Sequence, residues 1–193
     1  MRKLKLQMQI SLDGFVSTGP NDEQKWVTWA WKEIESYVLE LNCTCDTMII
    51  GRKLAVDFIP YWLETSTKPD DQMYELAKLI VGFKKIIFTK TLDKSEWSNT
   101  ELAKNDLFEE VRKLKEQNGK DIIVVGGSSF VSDLVKAELI DELHFFVNPV
   151  VLGKGVSIFD QLGNFKQLKL KKSIVYESGI VMLNYELNTN ETH

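Results

Sequence analysis

The sequence predicts an α/β protein whose mostly parallel central sheet is flanked by helices and ends in an antiparallel C-terminal hairpin. Three observations predict this class. Strand and helix patterns alternate from residue 4 to about residue 140, as in chains that build parallel sheets. The run Ile122 to Val125 is continuously apolar, which is typical of a strand buried on both faces. Beyond residue 140 strand patterns dominate, and two of them flank the turn Glu177-Ser178-Gly179.

The first half of the chain carries three strand patterns and two helix patterns. Strands are predicted over residues 4–10, 47–50 and 85–88. Helices are predicted over residues 26–41 and from about residue 70 to residue 81, because apolar residues recur there at spacings of three and four. This order gives the alternation on which the fold class rests.

The second half is predicted to hold two helices and four strands. Asp106 is expected to cap a helix that begins near Leu107 and stops at Asn118-Gly119. Another helix is expected to follow the glycine pair at residues 126–127. Strands are predicted over residues 122–125, 144–152, 168–175 and 180–187.

Composition narrows the function classes. The 193 residues suit a single domain spanning residues 1–193, and 44% hydrophobic with 27% charged residues argues against disorder, collagen and coiled coil. A net charge of -4 argues against broad nucleic-acid binding. No stretch approaches the roughly 18 apolar residues of a membrane helix, and polar residues interrupt the N-terminus where a signal peptide would be apolar. We therefore expect a cytoplasmic protein that binds neither membranes nor nucleic acids.

Metal binding is not expected. Cys43 and Cys45 are the only cysteines, and His144 and His193 are the only histidines. A structural zinc site needs four such ligands in a tetrahedral arrangement. Two neighbouring cysteines in a reducing compartment are more typical of small packing residues.

Four polar segments follow predicted strands, where open parallel sheets bind their ligands. They are Ser11-Leu12-Asp13-Gly14-Phe15, Gly51-Arg52-Lys53, Thr89-Lys90-Thr91 and Gly126-Gly127-Ser128-Ser129. The last joins a strand to a helix start, where free backbone N–H groups favour a phosphate. The alternative is a tight turn in which Ser128 or Ser129 caps the helix. The segment matches neither GxGxxG nor the P-loop.

The other segments add cations and hydroxyl groups. Arg52 can grip a phosphate with two hydrogen bonds, although a surface arginine is often only solvated. Three phosphate-compatible segments after three strands favour NADPH, which carries a pyrophosphate and an extra monophosphate, over NADH. Asp13 can either border the cofactor or stabilise its own turn.

Together these motifs resemble the dihydrofolate reductase-like superfamily, and most closely the family of the C-terminal reductase domain of the riboflavin biosynthesis protein. The resemblance spans residues from about 4 to about 187 and implies the dihydrofolate reductase-like fold. The motifs that carry it are Ser11-Leu12-Asp13-Gly14, Ile49-Ile50-Gly51-Arg52-Lys53, Val125-Gly126-Gly127-Ser128, Leu139-Ile140-Asp141-Glu142-Leu143 and Pro149-Val150-Val151-Leu152-Gly153-Lys154-Gly155 with Phe159.

The resemblance implies an NADPH-dependent oxidoreductase similar to 5-amino-6-(5-phosphoribosylamino)uracil reductase of riboflavin biosynthesis. It would transfer hydride to a small heterocyclic or ribosylamino-pyrimidine substrate. Two alternatives stay open, namely dihydrofolate reductase activity and a nucleotide-binding protein without turnover. The resemblance also implies a homodimer.

The resemblance further implies roles for individual residues. Asp13 is the expected orienter or proton relay, and Glu35 is one of three possible substrate carboxylates with Asp22 and Glu33. Leu54 stands where the family usually shows threonine, which removes a hydroxyl contact to the cofactor. The expected cofactor-binding residues are Gly14, Gly51, Arg52, Lys53, Thr89, Lys90, Thr91, Gly126, Gly127, Ser128 and Ser129. The expected substrate-binding residues are Trp29, Trp62, Gly153 and Gly155, with Trp26 as an alternative platform.

Overall fold

A computed structural model describes residues 1–187, which form one mixed eight-stranded sheet with five helices. The strands are β1 (Leu4–Ser11), β2 (Cys45–Gly51), β3 (Lys84–Phe88), β4 (Thr100–Ala103), β5 (Asp121–Val124), β6 (Glu142–Asn148), β7 (Leu168–Val175) and β8 (Val181–Leu187). The helices are α1 (Trp31–Cys43), α2 (Arg52–Thr65), α3 (Tyr74–Gly82), α4 (Leu107–Glu116) and α5 (Ser128–Lys136).

The strand order across the sheet is β4-β3-β2-β5-β1-β6-β8-β7. The strands from β4 to β6 pair in parallel, whereas β8 runs antiparallel to both β6 and β7. The predicted parallel sheet with an antiparallel C-terminal hairpin is therefore confirmed. Because β2, β5 and β1 are neighbours, the turns that follow them meet at one edge of the sheet.

Helices cover the two faces of the sheet. Ile122 and Val124 of β5 pack in one apolar cluster with buried residues of α4 and α5. Ile123, between them, packs in a second cluster with α1 and α3. Alternate residues of a strand point to opposite faces, so β5 is buried on both sides, as its apolar run predicts.

The structure corrects the boundaries of one predicted helix and one predicted strand, and it adds one helix and one strand. The first helix begins at Trp31 and not at Trp26, because Trp29 has a left-handed φ of 49° that a right-handed helix cannot continue. The strand predicted to reach Leu152 ends at Asn148, since Pro149 has no N–H for the sheet. Helix α2 was not predicted, and it carries Pro60 in its interior. The short edge strand β4 was also not predicted.

The predicted cap of α4 is confirmed. Asp106 caps α4 by accepting hydrogen bonds from the backbone N–H groups of Phe108 (2.9 Å) and Glu109 (3.2 Å). The predicted single domain extends to residue 193, and residues 188–193, including His193, lie outside the described part. Within residues 1–187, no helix is long and apolar enough to cross a membrane. No three metal-ligating side chains cluster in that same range.

Candidate active site

A cleft of about 580 Å³ lies at the carboxyl edge of the sheet, between β1 and the helices α1, α2 and α3. Its floor comes from β1, and its walls come from the β1–α1 loop, from α2 and α3, and from the glycine turn after β5. The lining residues are Gln7, Met8, Gln9, Val16, Ser17, Gly19, Asp22, Gln24, Trp29, Asn42, Leu54, Phe58, Tyr61, Trp62, Met73, Leu76, Ile80, Val125, Gly126, Gly127 and Ser128.

The predicted site residues divide between this lining and its surroundings. Those in the lining are Trp29, Trp62, Gly126, Gly127 and Ser128. Those outside it are Asp13, Gly14, Glu35, Gly51, Arg52, Lys53, Thr89, Lys90, Thr91, Ser129, Gly153 and Gly155. Their individual roles stay predictions, and the structure gives the position from which each would act.

The turns that follow β2 and β5 lie side by side. A Cβ atom on Gly126 would stand 3.2 Å from Leu54 Cδ2, and a Cβ on Gly51 would stand 3.1 Å from Phe130 Cβ. An added Cβ at either glycine would be tighter than an ordinary contact, and the side chain of Leu54 or Phe130 would have to shift by a few tenths of an ångström. The start of α2, with Arg52, and the glycine turn of α5 therefore form one surface.

Both helices begin without a side-chain cap. The N-cap residues are Gly51 for α2 and Gly127 for α5, and neither helix end receives a side-chain hydrogen bond. The alternative in which Ser128 or Ser129 caps α5 is wrong, because the helix already includes both serines. The first N–H groups of a helix need partners. Two adjacent helix starts thus leave backbone donors and positive dipole ends available to an anion.

Two cations lie in the first turn of α2, and a third lies in the turn that follows β3. Within residues 1–187, Arg52, Lys53 and Lys90 take part in no ion pair. Arg52 is half-buried, whereas Lys53 and Lys90 are exposed. Positive side chains in the first turn oppose the helix dipole of α2, so a bound anion would stabilise them.

The turn after β3 lies beside this surface. The rings of Phe88 and Phe130 are 5.1 Å apart between centroids, which brings the end of β3 against α5. Thr89 Oγ1 accepts hydrogen bonds from the backbone N–H groups of Thr91 and Leu92, both at 3.1 Å. The buried Thr89 hydroxyl therefore shapes the turn that carries Lys90 and Thr91.

Asp13 joins two loops. It accepts hydrogen bonds from the Ser11 hydroxyl (2.6 Å) and from the backbone N–H groups of Gly153 (2.7 Å) and Leu152 (3.1 Å). The Ser11 hydrogen bond and these backbone hydrogen bonds hold the pKa of Asp13 below its usual value. Asp13 is therefore ionised and engaged in loop packing, which is the turn-stabilising alternative open for it. A Cβ on nearby Gly155 would overlap the Ser17 carbonyl oxygen.

Only one of the three candidate carboxylates lines the cleft, and it is Asp22. Burial raises the pKa of Asp22, but hydrogen bonds from Trp26 Nε1 and from the backbone N–H groups of Thr18 and Gln24 outweigh it and lower the pKa to about 2. Asp22 is thus an ionised acceptor at neutral pH.

The other two carboxylates lie on α1. Glu33 accepts hydrogen bonds from the hydroxyl and the N–H of Ser178 (2.9 and 3.1 Å), so it ties α1 to the β7–β8 turn. Glu35 lies in the interior of α1, outside the lining.

The three candidate tryptophans occupy different environments. Trp29 is 51% exposed, lines the cleft and offers a ring surface to a ligand. Trp62 is only 9% exposed, because Phe58 and Tyr61 pack their rings edge-on against it. The Nε1 of Trp62 has no hydrogen-bond partner within residues 1–187. Trp26 does not line the cleft, and its Nε1 donates to Asp22.

Sequence reasoning missed the polar floor of the cleft. Gln7 and Gln9 alternate with apolar residues, which suggested an ordinary strand with one polar face. However, β1 pairs with β5 on one side and β6 on the other, near the middle of the sheet. Polar side chains on a covered face of a central strand are a signal for a site, but the position of the strand must first be known.

Comparisons with known proteins agree with this architecture. The family model described as "RibD C-terminal domain" matches residues 2–182. The chain is 32% identical over 188 residues to the uncharacterized protein YyaP of Bacillus subtilis (strain 168), covering 97% of this chain and 96% of YyaP.

Solved structures show the same fold. A putative riboflavin biosynthesis protein from Shewanella sp. PV-4 matches with a TM-score of 0.69 at 18% identity, covering 96% of this chain and 99% of that chain. A second match is the Thermotoga maritima diaminohydroxyphosphoribosylaminopyrimidine deaminase/5-amino-6-(5-phosphoribosylamino)uracil reductase, with a TM-score of 0.66 at 16% identity. This match covers 97% of this chain and 57% of that chain. The dihydrofolate reductase-like fold that the motifs implied is confirmed.

Proposed function

Because this chain belongs to the family of the RibD C-terminal domain, whose members are reductases, we propose that it is an NADPH-dependent reductase of a small heterocyclic or ribosylamino-pyrimidine substrate. The observation that carries the proposal is the pairing of two uncapped helix starts, at Gly51 and Gly127, with the half-buried Arg52 in the first turn of α2, which forms no ion pair within residues 1–187. A dinucleotide has two phosphate groups for such a surface to bind.

The residues present fit NADPH. The glycine turn at Gly126 and Gly127 lets backbone N–H groups approach a pyrophosphate, and Arg52, Lys53 and Lys90 supply charge for the extra phosphate. When bound, NADPH supplies the hydride that reduces a C=N bond to CH–NH, with a proton taken up at the nitrogen.

The chain's own residues orient the reactants and exclude water. Trp29 covers one side of the cleft, and the apolar wall formed by α2 and α3 lowers the local polarity. With a pKa of about 2, Asp22 accepts hydrogen bonds and does not donate the proton. The proton-relay role of Asp13 and a catalytic role of Glu35 stay predictions, since neither side chain lines the cleft.

Dihydrofolate is the second candidate substrate. Asp22 supports it, because dihydrofolate reductases need a carboxylate near the first helix, and Asp22 lies in the cleft shortly before α1. The third candidate is a protein that holds NADPH or another ligand without turnover, and it rests on Leu54, an apolar side chain beside Gly126 where the resemblance implies a hydroxyl contact to the cofactor.

The proposal includes a cytoplasmic homodimer. The edge strand β7 supports it, because Leu168, Leu170 and Val175 are exposed there beside unpaired backbone groups. Light scattering on the purified protein measures its mass in solution, and a monomer at micromolar concentration would contradict this part.

Two measurements test the reductase proposal. NADPH should quench tryptophan fluorescence, since Trp29 lines the cleft, and its absorbance should fall when a heterocyclic C=N substrate is added. Consumption with dihydrofolate alone would favour the second candidate. Binding without consumption of NADPH by any acceptor would favour the non-catalytic alternative, and absence of NADPH binding would contradict both reductase candidates.

A further inference from the structure

The floor of the cleft is a row of carboxamides. Lys5, Gln7 and Gln9 occupy the face of β1 that is turned toward α1. Lys5 forms an ion pair with Asp121 (2.8 Å) and does not line the cleft, whereas both glutamines do. A covered face of a central strand is normally apolar, so this polar row calls for a partner.

Hydrogen bonds fix how the first glutamine presents its amide. Asn42 Nδ2 donates to the Val38 carbonyl oxygen (2.8 Å), and because a carbonyl only accepts, the orientation of the Asn42 amide is set. The same Nδ2 donates to Gln7 Oε1 (3.1 Å). Gln7 Nε2 is therefore the group left over, and it donates no hydrogen bond to any part of the chain within residues 1–187.

The second glutamine repeats the pattern. Asn148 Nδ2 donates to the Phe146 carbonyl oxygen (3.1 Å) and to Gln9 Oε1 (2.9 Å). Gln9 Nε2 is thus left without a protein acceptor in the described chain. Two amide donors stand next to each other along β1.

Two buried polar atoms at the same cleft also lack partners. Asn42 is 1% exposed and its Oδ1 accepts no hydrogen bond, and Trp62 is 9% exposed and its Nε1 donates none, within the described residues. Both side chains line the cleft. Buried polar groups are normally paired, so an unpaired acceptor and donor at one cleft indicate a ligand that supplies both complements.

The charge of the lining restricts that ligand. Among the described lining residues there is no lysine, arginine or histidine, and the one carboxylate, Asp22, is ionised. A further phosphate dianion, besides the cofactor pyrophosphate at the glycine turn, would find no cation in the lining and would face the like charge of Asp22. The substrate named for the Thermotoga maritima relative, in contrast, carries a phosphoribosyl group.

We propose that the substrate of this protein is a phosphate-free, neutral heterocycle with a lactam-type edge, bound by the carboxamide row and Trp62. Ring carbonyl oxygens accept from the Nε2 groups of Gln7 and Gln9 and from Trp62 Nε1, and a ring N–H donates to Asn42 Oδ1. This inference rests on the proposed function, since it names the substrate class of the same cleft.

Equilibrium dialysis without cofactor tests the charge argument. The probes are 5-amino-6-(5-phosphoribosylamino)uracil and the same compound after removal of its phosphate by phosphatase. We expect the phosphate-free compound to bind about tenfold more tightly. Equal binding, tighter binding of the phosphorylated compound, or no binding of either would overturn the inference. Phosphate-free binding without NADPH consumption would support it while contradicting the proposed reductase.

The variant Trp62→Phe tests the hydrogen-bond argument. It removes the unpaired donor and breaks no hydrogen bond within the described chain, and it should weaken binding of the phosphate-free compound about tenfold. The control is Trp31→Phe, which loses the hydrogen bond from Nε1 to the Gln72 carbonyl oxygen (2.8 Å) but lies outside the cleft. It should bind like the wild type.

A second variant guards against a folding defect in the first. Gln7→Glu keeps an oxygen for Asn42 Nδ2 and replaces the free amide donor with a second oxygen, so it should also weaken binding about tenfold. Wild-type affinity in folded Trp62→Phe or in Gln7→Glu, with folding checked by circular dichroism, would overturn the inference.

Discussion

The first turns of α4 and α2 carry side chains of opposite charge at the positive end of the helix dipole. Helix α4 is capped by Asp106 and carries Glu109 and Glu110 in its first turn, so the chain itself neutralises the positive end of the helix dipole. Helix α2 begins after a glycine with Arg52 and Lys53, which add positive charge to that end. Helix α5, beside it, is likewise uncapped.

We propose that this difference separates a helix start that stabilises the fold from helix starts that bind the cofactor. Each cation at the start of α2 costs about 0.3–1 kcal/mol against the helix dipole. With a phosphate bound there, each cation would lower the free energy instead of raising it. The comparison therefore predicts that changing the charge at α5 or α2 affects the ligand, and that the same kind of change at α4 affects only the free energy of unfolding.

The largest expected effect follows from giving α5 the acidic start that α4 has. Ser128→Asp places a carboxylate in the first turn, beside the uncapped N–H groups, so NADPH affinity should fall about 100-fold through repulsion of the pyrophosphate. Fluorescence titration measures the loss. In the matched variant Asp106→Ala, the free energy of unfolding should fall by about 1 kcal/mol with NADPH affinity unchanged. Equal NADPH affinities for both variants would abolish the distinction.

The comparison extends to a helix C-terminus. Lys85 is 3% exposed and donates from Nζ to the Val81 and Phe83 carbonyl oxygens at the end of α3 (both 2.9 Å). Burial lowers the pKa of Lys85 from 10.5 to about 8. Between pH 8 and 10.5 this lysine binds more protons in the unfolded chain than in the folded chain. Its contribution to the free energy of unfolding therefore increases as pH rises.

Urea unfolding of wild type and Lys85→Met measures this contribution. Between pH 7 and 10 the free energy of unfolding of the wild type should rise by about 2 kcal/mol relative to that of the variant. Subtracting the two values cancels the pH dependence of all other groups. A difference that stays constant over this range, or that moves toward the variant, would contradict the lowered pKa.

The cation at the start of α2 should discriminate between the two nicotinamide dinucleotides. Arg52→Ala should weaken NADPH about tenfold and NADH by less than about threefold, because only NADPH carries the extra phosphate. Arg112→Ala on α4 is the control, since Arg112 is paired with Glu116 and lies far along the chain from the site. Equal losses of NADPH and NADH affinity would remove the assignment of Arg52 to the extra phosphate.

The smallest effect concerns Leu54. Leu54→Thr introduces a hydroxyl beside the glycine turn, and NADPH should bind about threefold more tightly through one added hydrogen bond. Valine has the shape of threonine but no hydroxyl, so Leu54→Val separates the effect of the hydrogen bond from the effect of the smaller side chain. Identical affinities of the two variants would show that the hydroxyl is not used.

The features that could be predicted from the sequence are those that depend on residues close together in the chain. The capping of α4 by Asp106 depends on residues within one turn, and the buried β5 depends on its own apolar run. Pro60 in α2 gave no local helix signal, because tertiary packing and not propensity holds that helix. The path of the β1–α1 loop decides that Asp22 and not Glu35 reaches the cleft, and no spacing in the sequence gives that path.

We propose that the first turns of α2 and α5 bind one dinucleotide. Hydrogen–deuterium exchange of the backbone amides with and without NADPH can test this binding. NADPH should slow exchange both at residues 52–54 and at residues 128–130 and should leave residues 107–109 of α4 unchanged. Slowed exchange at only one of the first two segments, or at neither, would contradict it.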